Sequence, residues 1–138
     1  VSALRAVEQD DDIIGIAGEG GALLPCTTVD AVCTRVDTVY FARYQRHKLV
    51  LNFSVYSPPE FEGVKLQMFL RLDKRWTKIP RSASLYKAAL IATGRRIDNE
   101  KIRKSWFKSK AYRCSLRTVG SDTGAYSVID SIVERLTL

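Results

Sequence analysis

The chain has 138 residues, 46% hydrophobic and 27% charged, with a net charge of +7. That length suits one domain, and the composition is that of a globular protein rather than a disordered one. No stretch nears the roughly 18 consecutive apolar residues that span a membrane, and the first residues lack the basic start and apolar run of a signal peptide, so the expected location is the cytoplasm.

Residues 1–27 are expected to form an acidic, Gly-rich arm or peripheral strand, the strand around Ile13 to Ile16. Residues 1–34 carry one base and six acids, a net charge of −5, whereas residues 35–138 carry 21 bases and nine acids, a net charge of +12. A body this positive attracts polyanions by its long-range field and by counterion release. The arm reads as a solubilising tail, with competition for the basic surface as the other role open to it.

From Thr27 onward the two-residue alternation of half-buried strands takes over. The first strand is expected over 28–44, rich in Val, Thr and Tyr. In the second, "KLVLNFSVYS" (48–57), Leu49, Leu51, Phe53 and Val55 point inward, and Lys48, Asn52, Ser54 and Tyr56 outward. "SPPEFEG" breaks the run with two prolines and a glycine. The third, "VKLQMFLRLD" (64–73), turns Val64, Leu66, Met68, Leu70 and Leu72 inward and Lys65, Gln67, Phe69 and Arg71 outward.

The period then changes. "SASLYKAALIATG" (82–94) opens with serines suited to an N-cap and closes on a C′ glycine. Leu85, Ala88, Ala89 and Ala92 form one helical stripe. After a basic connector, "KAYRCSLRTV" (110–119) alternates again, with Tyr112, Cys114 and Leu116 inward and Ala111, Arg113, Ser115 and Arg117 outward. "GSDTG" is turn chemistry. In "AYSVIDSIVERL" (125–136) the apolar residues also fit helical spacing, and a strand running into a terminal helical turn is expected.

The expected fold class is therefore mainly β with one helix: a five-stranded β-barrel of OB-fold type, the helix lying between strands three and four and plugging one end. The domain would span 28–138.

Two basic blocks interleave with aromatic rings. In "RLDKRWTKIPR", Arg71, Lys74, Arg75, Lys78 and Arg81 surround Trp76. Residues 95–117 hold nine bases against two acids. There "KIRKSWFKSKAYRC" sets Arg103, Lys104 and Lys108 around Trp106 and Phe107; Phe107 is expected to anchor the connector to the core and Trp106 to stay exposed. An exposed ring on a basic sheet is what base stacking requires. The candidate nucleic-acid-binding residues are Lys48, Tyr56, Lys65, Phe69, Arg71, Lys74, Arg75, Trp76, Arg103, Lys104, Trp106, Lys108, Arg113 and Arg117.

Enzyme readings find little support. No P-loop, GxGxxG, HExxH or GxSxG motif is present. Asp37, Glu60, Glu62, Asp73, Asp98 and Glu100 fall on loops or exposed positions, where solvation accounts for them. His47, between Arg46 and Lys48, has no nucleophile to serve. Three cysteines and one histidine cannot supply a four-ligand zinc site, and buried reduced thiols are expected at Cys26, Cys33 and Cys114. No metal, cofactor or catalysis is expected.

The run "KLVLNFSVYSPPEFEGVKLQMFL", the helix ending "KAALIATGRR", then "WFKSKAYRCSLRTV" and "YSVIDSIVERL" together resemble small OB-fold single-stranded-DNA-binding proteins of phages and mobile elements. The likeness covers roughly residues 28–136 and is one of rhythm. In that family a strand leads through "xFxGK" into the next, and here Lys108 and Ser109 stand where the pattern has its glycine. The resemblance implies coating of transient single strands in replication, recombination or conjugative transfer. The expected partner is single-stranded DNA, with RNA not separable from it by sequence, and with no membrane. The alternative is a protein-interaction or assembly module whose exposed rings bury in a homo-oligomer or complex.

Overall fold

A computed structural model of the chain describes residues 22–42, 46–73, 76, 78–97, 101–121 and 124–137. The arm residues 1–21, with the strand expected around Ile13, lie outside the described residues, as do Asp122 and Thr123 of the "GSDTG" turn.

Five antiparallel strands form one sheet: β1 (Thr28–Phe41), β2 (Arg46–Ser57), β3 (Lys65–Leu72), β4 (Ala111–Ser121) and β5 (Gly124–Leu136). Their order across the sheet is β3-β2-β1-β4-β5. One helix, α1 (Ser84–Thr93), lies between β3 and β4 in sequence. A flat sheet of this width would hold its edge strands about 19 Å apart. Instead β3 and β5 lie close against each other, and α1 packs on both. The sheet is therefore curled around its core, although no ladder joins its two edges among the described residues.

The inner face is the expected apolar set. Leu49, Leu51, Phe53 and Val55 of β2 pack with Leu66, Met68 and Leu70 of β3, and with Leu85, Ala88, Ala89 and Ala92 of α1. The small alanine side of the helix fits close to the sheet. Gly94 ends α1 in the left-handed conformation at φ 67°, its N–H bonded to the Leu90 carbonyl. The start differs from expectation: Ala83 is the N-cap and no serine side chain caps the helix, because the turn closed by Ala83 N–H on the Pro80 carbonyl brings Ala83 to that position.

β5 is strand throughout, with no terminal helical turn. Two bulges explain its helical-looking period. The register against β4 skips Val133 and Asp130, so Ile129, Ile132 and Arg135 face inward, opposite Leu116, Cys114 and Tyr112. Two extra residues turn a period of two into a period of three. Arg135, brought inward in this way, donates from Nη1 to the Ala92 carbonyl at 3.1 Å and holds the last turn of α1. Ala111, expected to face outward, is 1% exposed, lying between Val32 of β1 and Leu136 of β5.

The three cysteines are free thiols, with Cys33 and Cys114 buried. Burial pushes both of these thiols up to about 12, so they pack as small apolar groups rather than as nucleophiles. Phe107 is 0% exposed and anchors the connector, as expected. The Tyr112 hydroxyl, inside the core, donates toward the Phe107 and Trp106 carbonyls at 3.3 and 3.4 Å.

Ser109 has φ 64°, a left-handed conformation that glycine adopts with the least strain. Its N–H donates to the Cys33 carbonyl at 2.7 Å, and Cys33 N–H donates to the Lys110 carbonyl, so the loop continues the edge of β1. Ser109→Gly is expected to stabilise the fold by about 0.5–1 kcal/mol, measured as a raised urea midpoint at unchanged slope; an unchanged or lowered midpoint would contradict the strain argument.

Candidate functional site

The outer face of β1–β2–β3 follows from the register. β2 and β3 pair without interruption from His47–Leu72 to Ser54–Lys65, so Lys48 lies beside Arg71, Val50 beside Phe69, Asn52 beside Gln67 and Ser54 beside Lys65. β1 joins them through a bulge at Thr34, which the register skips between Cys33 and Arg35. Without that extra residue Phe41 would share the inward face of Cys33. With it, Val36 and Thr38 turn inward and Phe41 comes to the outer face.

At this end the side chains converge. Lys48 Nζ lies 5.5 Å from the Phe41 ring centroid and 5.8 Å from that of Phe69. The two rings meet edge to face with centroids 6.2 Å apart. Val50, on the same rung as Phe69, is only 3% exposed although it points away from the core. The Lys48 ammonium is held below its ordinary pKa, first by burial and then by the charges of Arg46 and Arg117. Arg117 comes from β4, so a second part of the sheet brings positive charge to this end.

The middle of the face is polar. Gln67 Nε2 donates to Asn52 Oδ1 at 2.9 Å, and Asn52 Nδ2 donates to Asp37 Oδ2 at 3.1 Å. Asp37 also takes Arg35 Nε at 2.7 Å. Lys65 Nζ donates to Ser54 Oγ at 3.2 Å. At the far end, the register skips Tyr56 between Val55 and Ser57, making it the extra residue of a bulge facing Asp30. Its phenol is pushed up by burial and then by Asp30.

Compared with known proteins, the chain matches no protein-family model and no curated relative. The site stands on its geometry.

That geometry sorts the predicted residues. Lys48, Phe69, Arg71 and Trp76 gather at one end of the outer face, with Lys65 further along it. Arg71 Nη2 pairs with Asp73 at 2.9 Å, and its guanidinium lies 5.7 Å from the Trp76 ring centroid. Arg113 is held between Asp30 at 3.1 Å and Glu134 at 2.8 Å, and Arg117 pairs with the bulge residue Asp130 at 3.1 Å. Arg113 is thus engaged within the fold beside Tyr56, away from the Phe41–Lys48–Phe69 group. Arg103, Lys104 and Lys108 are exposed on the connector. Trp106 is half-buried against the edge of the core rather than fully exposed, with the Arg95 guanidinium 5.4 Å from its ring centroid. Lys74 and Arg75 lie outside the described residues.

Phe41 and Arg46 were not legible as site residues. The signal for Phe41 was its position in an aromatic-rich strand end, but its face depends on the Thr34 bulge. Among the described residues, no group of three or more His, Cys, Asp or Glu side chains could hold a metal ion, and no helix is long and apolar enough to cross a membrane.

Proposed function

We propose that the chain is a non-catalytic single-stranded-DNA-binding protein of OB type, acting in replication, recombination or mobile-element transfer. The observation that carries the reading is the Phe41–Lys48–Phe69 group on the outer face. Two half-buried rings give bases a surface to stack on, and Lys48, Arg46 and Arg71 supply charge for the phosphates that follow. Stacking of this kind needs unpaired bases, which a duplex does not offer. The strand order, the curled sheet and the helix between β3 and β4 support the OB-type assignment. The Gln67–Asn52–Asp37 chain provides polar groups along the same surface.

Lys48 is informative for a further reason. Burying an ammonium beside two arginines opposes folding, and an anionic ligand on this face would offset that repulsion.

Titration of intrinsic tryptophan fluorescence with oligo-dT tests the reading, with duplex DNA and oligo-U for comparison. Saturable quenching by the single strand and a weak duplex response are expected. Phe69→Ala should weaken oligo-dT binding about tenfold, in line with the 1–3 kcal/mol contributed by one stacked base, while the far-UV circular dichroism stays unchanged. An F69A protein that folds and binds with full affinity would remove this face from consideration. Absence of any single-strand binding at low salt would return the rings to an assembly interface.

A further inference from the structure

On the opposite, inner side of the same sheet end, α1 does not cover the curled sheet alone. Between Thr38, Leu49 and Leu72 of the strands and Leu85 and Tyr86 of the helix, the connector leaves a cavity of about 710 Å³. Small-ligand sites are roughly 300–1,000 Å³ and mostly apolar, with a few convergent polar groups. The floor here is aliphatic, formed by Leu49, Leu72, Leu85 and Ile97, while Trp76 and Tyr86 add aromatic walls. Tyr86 is fixed in place, its hydroxyl donating to the Ile97 carbonyl at 3.3 Å.

Among the described residues, the charged side chains that line this cavity are all positive. Lys78, Arg81, Lys101 and Lys104 line it, and no carboxylate does among the described residues. Lys78, Lys101 and Lys104 are exposed, which leaves their ammonium groups available at the mouth. Trp76 belongs to this cavity and also lies beneath Arg71 of the outer face, so the two surfaces meet at its ring. Lysine ammonium groups, with three donors each, suit a phosphate, whose oxygens accept several hydrogen bonds at once. Two aromatic side chains in an otherwise largely aliphatic lining suit a flat heterocycle.

We propose that this cavity binds one nucleoside phosphate, its base against Trp76 and Tyr86 and its phosphate at Lys101 and Lys104. The inference rests on the single-strand reading for the identity of the ligand. In that reading the cavity seats the terminal nucleotide of a strand that has crossed the outer face and passed over the Trp76 rim.

The test uses the full chain labelled with 5-fluorotryptophan. It has two tryptophans and so two fluorine resonances, assigned with Trp76→Phe. Thymidine 5′-monophosphate, thymidine and inorganic phosphate are titrated separately at low salt. The nucleotide should shift the Trp76 resonance saturably, and thymidine should bind several-fold more weakly. The surface double variant K101Q/K104Q should weaken the nucleotide about tenfold, the usual consequence of losing hydrogen bonds from charged donors. A Trp76 resonance unmoved at millimolar nucleotide overturns the proposal. So does equal response to nucleotide and nucleoside, or full affinity in K101Q/K104Q.

Oligo-dT with and without a 5′-phosphate separates strand end from free nucleotide: tighter binding of the phosphorylated oligomer places a strand terminus in the cavity. Oligomer binding without mononucleotide binding sinks the cavity and leaves the outer face standing. Mononucleotide binding without oligomer binding does the reverse.

Discussion

Oligo-dT affinity is expected to fall roughly 100-fold between about 50 mM and about 300 mM salt, because a single strand crossing this face would meet about four cations. They are Arg46, Lys48, Lys65 and Arg71, all on the outer face of β2 and β3. Each phosphate neutralised on a single strand contributes a slope of about −0.7 in log affinity against log salt. Arg71 has Asp73 as a partner at 2.9 Å, but an exposed pair of this kind is weak and can exchange one anion for another. Lys48 should dominate, since its charge lies closest to the rings and is already crowded by Arg46 and Arg117. The K48M protein should therefore show a shallower slope as well as lower affinity, measured by fluorescence titration at five or so salt concentrations. A nearly flat salt dependence in the wild-type protein would point to an apolar interface and to the assembly reading.

The largest effect on stability is expected from Phe107→Ala, about 3–5 kcal/mol of unfolding free energy. Phe107 is fully buried and follows the 3-10 turn Lys104–Trp106. Its carbonyl receives the Tyr112 hydroxyl, and the Tyr112 ring meets Phe53 edge to face with centroids 6.2 Å apart. Removing the ring would leave a cavity where the connector joins the core and would free the Lys101–Lys104 wall of the nucleotide cavity. Urea unfolding of F107A and F107L distinguishes the mechanisms. Leucine should recover most of the loss if filling of space dominates. Equal destabilisation by both would assign the effect to the ring's shape instead. A loss of less than about 1 kcal/mol for F107A would mean that the connector is not anchored there.

How much of this was legible in the sequence depended on whether strands ran without bulges. β2 and β3 pair without interruption through the central face, so strict alternation assigned Leu49, Phe53 and Met68 to the core and Lys48, Phe69 and Arg71 to the outer surface. The helix was equally readable, since Leu85, Ala88, Ala89 and Ala92 share one apolar stripe that ends on the C′ glycine Gly94. β1 and β5 were not readable in this way. One extra residue at Thr34 reverses the face of everything after it, Phe41 included. The skipped Asp130 and Val133 give a strand the spacing of a helix. Local pattern carries no mark of a bulge, because the partner strand decides where the extra residue goes. The nucleotide cavity was invisible for another reason: Trp76, Tyr86 and Lys101 are distant in sequence and meet only when the connector folds back over the sheet.

The two strands of the last hairpin differ in length, 11 residues in β4 and 13 in β5, yet they are paired from end to end. Like the two metals of a thermostat strip, bonded layers of unequal length have to bend. The curvature that carries β5 round toward β3 is thus recorded in a residue count, not in any single contact. Trimming Asp130 and Val133 would leave every hydrogen-bonding rung a partner and still straighten the strip, drawing Arg135 away from the helix and opening the seam between the first and last strands of the wall.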